Sequence, residues 1–229
     1  MNKFKLVLLA AFTAILLSGC IKMDTGIKIN SDGSGDLTLI YGIDKQFANT
    51  EADQIESMRT EAKEQGYKVT DYSSEKYFGI KLKKHYDDAK EMKTPTGDAE
   101  LFEFDIKEDK GFFKTNYDVT AMFDFESMAE SAEDDDMSEE IHASMLNQMD
   151  LAFNLELPVK AGENNASEVK GEGKKLHWSF TPGIKNNVEV EFTKTNYMNI
   201  ALLVVGVILI IGIVLFIIRK KKKPVHHIV

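Results

Sequence analysis

Apolar and polar positions alternate in short runs along most of this chain. Ile27 and Ile29, then Leu37, Leu39 and Tyr41, flank Asn30-Ser31-Asp32-Gly33-Ser34-Gly35-Asp36. Two period-2 runs about a Gly/Asp/Ser turn predict a β-hairpin. Ala52, Ile55, Met58 and Ala62 then recur at helical spacing, with acids near the start and Gly66 as a stop, so a one-faced helix is expected. Tyr67 to Asp71 and Tyr77 to Lys84 return to strand periodicity, the second with Phe78, Ile80 and Leu82 on one face. Leu101 to Ile106, a turn at Glu108-Asp109-Lys110-Gly111, and Phe113 to Phe123 form a long strand pair, expected at the centre of the sheet. Asp136 with Glu139 makes a capping pair for a helix over Met137 to Asp150, whose face carries Met137, Ile141, Met145 and Met149. Leu151 to Leu157, Leu176 to Phe180 and Val188 to Phe192 are further strands, and Val159 to Lys175 reads as an exposed connection. The predicted fold is α+β: a mostly antiparallel β-sheet with two packed helices.

The two ends depart from this pattern. Lys3 and Lys5 precede about twelve apolar residues from Leu6 to Leu17, too few to cross roughly 30 Å of hydrocarbon. Leu17-Ser18-Gly19-Cys20 follows, an aliphatic-small-small-cysteine run that resembles the bacterial lipobox and contains the chain's one cysteine. That resemblance implies cleavage between Gly19 and Cys20 and a covalent diacylglycerol on Cys20. At the other end, Ile200 to Ile218 carries no charge and Arg219 to Lys223 are all basic. A membrane-spanning helix with its C-terminus in the cytoplasm is expected. The expected parts are a signal peptide at 1–19, an extracytoplasmic domain at 20–198, a transmembrane helix at 199–218 and a basic tail at 219–229. Such a chain is tied at both ends to the cytoplasmic membrane, with its domain outside.

Charge narrows the function. All 37 acidic residues lie between Asp24 and Glu191, and the segment expected to be exported, 20–198, holds 21 of the 28 basic ones, an excess of 16 negative charges. Such a surface repels nucleic acid and anionic lipid headgroups at long range, and it argues against nucleic acid as a partner. The single cysteine leaves no disulfide framework.

Candidate chemistry is sparse. Asn30, Asp32, Ser34 and Gly35 imitate a calcium loop, but its twelfth place is Tyr41 rather than glutamate, so a turn is expected. The acidic run Glu133 to Asp136 reads as solvated, and no metal site is predicted. No HExxH, Walker or GxSxG motif occurs, so neither an enzyme nor a cofactor is expected. Phe102, Phe104, Phe113 and Tyr117, with Met145 and Met149, are either core or the walls and lid of an apolar pocket.

Several short segments together resemble the LppM domain of bacterial surface lipoproteins. They are Cys20-Ile-Lys-Met-Asp24, the Asn30 to Gly35 turn, Tyr41-Gly42, Phe153-Asn-Leu-Glu-Leu-Pro158 and Lys175-Leu-His-Trp178. The resemblance implies a membrane-tethered α+β domain at the cell surface with lipid or lipoglycan association and no established catalytic residues, so no functional residues carry over. The acidic Glu126 to Glu140 segment has no match in that pattern. The expected function is binding of a membrane lipid or other amphipathic envelope ligand. The alternative is a protein-interaction subunit or regulator with a membrane protein partner, and a third reading is a carboxylate-based hydrolase.

Overall fold

The structure, a computed structural model, describes residues 21–47, 52–92, 102–126 and 148–221. It divides into two compact units. One comprises residues up to Lys107 and Asp118–Phe192; the other comprises Glu108–Tyr117 and residues from Thr193 onward. Cys20, Gly19, Met145 and the acidic segment beyond Glu126 lie outside the described residues.

In the first unit the predicted hairpin forms as β1 (Ile21–Ile29) and β2 (Gly35–Asp44), paired from Ile21↔Ile43 to Ile29↔Gly35. Its turn is held by its own side chains. The Asn30 Nδ2 amide donates to Ser34 Oγ and Asp36 Oδ2, and Ser34 donates from both N and Oγ to Asp32 Oδ1. These oxygens are therefore spent within the turn. Next comes α1 (Ala52–Glu64), which packs on β3 (Lys68–Ser73) and β4 (Tyr77–Tyr86) through buried Ile55 and Ala62. It ends in a Schellman motif: Tyr67 N donates to Ala62 O, Gly66 N to Lys63 O, and Gly66 takes φ +82°.

The remaining strands are β5 (Phe102–Lys110), β6 (Lys114–Asp124), β7 (Met149–Glu156), β8 (Ala161–Asn164), β9 (Glu168–Lys170), β10 (Lys175–Ser179) and β11 (Lys185–Thr195). A seven-stranded sheet runs β3-β4-β2-β1-β7-β10-β9, and a four-stranded sheet runs β5-β6-β11-β8. The β1–β7 pair is parallel; the other pairs with a described register are antiparallel. The fold is thus α+β with mostly antiparallel sheets.

Three expectations need correction. The β5–β6 pair is not the centre of the sheet: β5 is an edge of the smaller sheet, and β1 is central in the larger. Period-2 alternation reports a buried face and not a strand's rank in the sheet. The connection 159–175 contains β8 and β9, both edge strands and mostly exposed, which explains their polar composition. Met149 is the first residue of β7 rather than helical.

Aromatic rings fill the space between the two sheets. Phe123 on β6 lies 5.2 Å from Phe153 on β7, 4.7 Å from Phe102 and 4.6 Å from Phe180. Phe153 also meets Trp178 at 5.5 Å. Asn165, between β8 and β9, ties the layers. Its Oδ1 accepts from Trp178 Nε1 and Glu189 N, and its Nδ2 donates to Asn187 O.

The second unit holds the tip of the β5–β6 hairpin, the end of β11 and α2 (Tyr197–Lys221). Tyr197–Lys220 is long and apolar enough, by length and composition, to cross a membrane. Strand β11 runs to Thr195, so only Asn196 separates strand from helix.

Candidate functional site

Alternation along the seven-stranded sheet sends Ile27, Leu37, Ile80, Leu155 and Leu176 into the core. The intervening positions form the opposite, exposed face. The strand registers align them in rows. One row reads Lys68, Lys83, Thr38, Gly26, Asn154, His177, Glu168; the next reads His85, Asp36, Lys28, Glu156, Lys175, Lys170. Together they line a groove of about 830 Å³. At the middle of the first row Gly26 contributes no side chain.

Five lysines and three carboxylates stand in these two rows, inside a segment whose overall balance is strongly negative. Lys170 pairs with Glu168 at 2.7 Å and Lys175 with Glu156 at 3.6 Å. Among the described residues, Lys28, Lys68 and Lys83 have no ion-pair partner within 4.0 Å. Lys84, also at the groove, turns to the helix side, where its Nζ donates to Gln65 O at 2.9 Å and lies over the Tyr67 ring. Unpaired ammonium groups on a sheet face cost nothing while water solvates them, and they recruit anions when one arrives.

Two hydrogen-bonded lines frame the groove. His85 Nδ1 meets Asp36 Oδ1 at 2.7 Å. That contact lifts the imidazole above its ordinary value, with the charges of Asp87 and Asp32 adding to it, and holds the Asp36 carboxyl below its own. On the other side Asn154 Nδ2 donates to Asp24 Oδ1 at 2.6 Å, and Asn154 Oδ1 faces His177 Nδ1 at 2.9 Å. Since the Asn154 amide is spent on Asp24, its oxygen must accept, which makes His177 Nδ1 the donor. Ser179 Oγ lies 3.3 Å from His177 Nε2. The line resembles a nucleophile, base and orienter, but Ser179 N donates to Ser167 Oγ, so the amide an oxyanion would need is engaged. Among the described residues, no group of three or more His, Cys, Asp or Glu side chains is placed to hold a metal ion.

Of the six residues singled out from sequence, the five described belong partly to one unit and partly to the other. Phe102 and Phe104 share a face of β5, with ring centroids 6.2 Å apart, and Phe102 packs into the inter-sheet aromatic cluster. Phe113 and Tyr117 belong to the second unit. Phe113 is exposed, while the Tyr117 hydroxyl donates to Glu108 Oε1 and is pushed up to about 12 by burial and that carboxylate. Met149 is half-buried opposite Ile21, and Met145 is not described. The lysine rows escaped the sequence reading. Their trace there is lysine at outward strand positions, as in Lys81-Leu82-Lys83, within an acidic chain.

Comparison with known proteins agrees with the resemblance read from the sequence. The LppM domain profile matches residues 22–194. Among solved structures, the folded domain of the Mycobacterium tuberculosis LppM protein, determined by NMR, aligns with 12% identity and a TM-score of 0.45. It covers 78% of this chain and 93% of that one. No curated protein matches.

Proposed function

The chain belongs to the LppM domain family, and on that premise we propose that it is a non-enzymatic surface lipoprotein that binds an anionic, amphipathic envelope lipid. The lipid's charged headgroup sits in the groove over Gly26, against Lys28, Lys68 and Lys83. The observation that carries this reading is the reversal of sign: three lysines with no ion-pair partner within 4.0 Å among the described residues, gathered on one face of an otherwise acidic domain. Cys20 becomes the acylated N-terminus and α2 spans the same bilayer, with Arg219 to Lys223 on its cytoplasmic side. The domain then faces outward. Replacing Cys20 by serine removes incorporation of labelled palmitate, whereas α2 alone keeps the protein in the membrane fraction.

The test of binding is native mass spectrometry of the intact chain released from its own host's membrane in mild detergent. A lipid-sized adduct is expected, absent from the Lys28→Glu/Lys68→Glu/Lys83→Glu variant. A bare wild-type chain, or equal adducts on both, overturns the reading and leaves the protein-interaction alternative.

A further inference from the structure

We propose that Phe112 and Phe113, at the tip of the β5–β6 hairpin, insert into the outer interface of the bilayer that α2 crosses. The inference rests on the membrane-spanning reading of α2 and adds a second membrane contact outside the helix. Both rings are more than half exposed and pack edge-on at 4.9 Å, forming a compact apolar projection with no core to fill. Exposed aromatic pairs on a polar loop call for an occupant.

The hairpin tip is fastened to the start of the helix, and this sets the depth of the rings. Asn196 N donates to Phe113 O at 2.8 Å, and Asn196 Nδ2 donates to Gly111 O at 2.8 Å. Thr115 Oγ1 donates to Asn196 Oδ1 at 3.1 Å, and Asn199 Nδ2 donates to Phe112 O at 2.9 Å. Asn196 also accepts from Ile200 N, so the residue that starts the helix is the residue that holds the tip. The uncharged run begins at Ile200. At about 1.5 Å per residue, Asn196 lies only about 6 Å above it. The interfacial zone is itself about 5–8 Å deep on each side of the hydrocarbon. The two phenylalanines therefore sit at the level of exposed Tyr197 and Met198, where aromatic side chains partition favourably. Lys110 and Lys114, both exposed, flank the tip and suit the headgroup layer. The occupant is the lipid surface because the helix that crosses it begins within four hydrogen bonds of the tip.

The experiment places single tryptophans in the full chain, reconstituted in vesicles of phosphatidylcholine and phosphatidylglycerol. Trp178 is only 3% exposed, and its emission is subtracted using the wild-type chain. Nitroxide-labelled lipids carry the quencher either at the headgroup or deep in the acyl chain. Ile211→Trp, in the middle of α2, reports the spanning helix and is expected to be quenched by the deep label. Phe113→Trp is expected to emit to the blue of free indole, to be quenched more by the headgroup label than by the deep one, and to resist aqueous iodide. Adding Asn196→Ala and Asn199→Ala to Phe113→Trp should restore iodide quenching. A deeply quenched Ile211→Trp beside a Phe113→Trp open to iodide overturns the insertion alone. An Ile211→Trp that no lipid label quenches overturns the spanning helix, and the insertion with it.

Discussion

Asn165 shows how one exposed side chain holds two layers. Its oxygen takes protons from both Trp178 Nε1 and the Glu189 amide, while its own amide reaches Asn187 O. Asn165→Ala leaves the indole N–H of a buried tryptophan without its acceptor, a loss of about 1–3 kcal/mol. Thermal unfolding should fall by about 2–4 °C for each kcal/mol. Asn165→Asp keeps both acceptor bonds and should lose less. The His85–Asp36 pair makes a pH prediction at the same scale. His85 is raised from 6.5, so its contribution is complete below 6.5 and is lost as pH rises through the raised value. Asp36 is lowered from 3.8, so its contribution is present above 3.8 and is lost as pH falls through the depressed value. The pair exists between those two limits. An NMR titration of the imidazole should give a value above 6.5 that drops in Asp36→Asn; an unchanged value would show that the two do not interact in solution.

At the scale of elements, two glycines in the large sheet make opposite predictions. A Cβ on Gly79 would stand 2.1 Å from Tyr41 O and 3.0 Å from Gly42 Cα, so β4 and β2 would have to part. Gly79→Ala should cost about 3 kcal/mol, the upper end of ordinary overpacking, read as a lower urea midpoint. A Cβ on Gly26 meets only Thr38, at 3.7 Å, which is ordinary contact. Gly26→Ala should shift stability by no more than about 0.5 kcal/mol. Equal losses at the two sites would mean that the β2–β4 register differs from the one described.

For the whole molecule the governing feature is sign. Residues 20–198 carry 37 acidic and 21 basic groups, yet the groove gathers lysines. Exposed ion pairs contribute roughly 0.5 kcal/mol each. Three of them make about a tenfold difference in Kd. Ligand affinity should therefore weaken about tenfold in Lys28→Ala/Lys68→Ala/Lys83→Ala. In the wild type it should weaken comparably between 0.15 and 1 M salt, as the Debye length shrinks from about 8 to 3 Å. Binding indifferent to salt would place the ligand elsewhere.

The chain's periodicity alone determined the β1–β2 hairpin, α1 with its stop at Gly66, the alternating face of β6 and the apolar run of α2. Each depends on residues close in sequence, where side-chain direction follows directly from backbone period. The family was legible too, in short segments from Cys20 to Trp178. Only the tertiary structure decided which strands are neighbours. It placed β7 parallel to β1, moved β5 to an edge, and assigned Phe102 and Phe104 to one unit and Phe113 and Tyr117 to the other. The lysine groove depended on that same decision. Lys28, Lys68 and Lys83 belong to three different strands, and nothing local to any of them specifies that β3, β4 and β1 share one sheet. Strand order is set by burying the opposite face, where Phe153, Leu37 and Ile80 exclude water; the charged rows are brought together as its consequence.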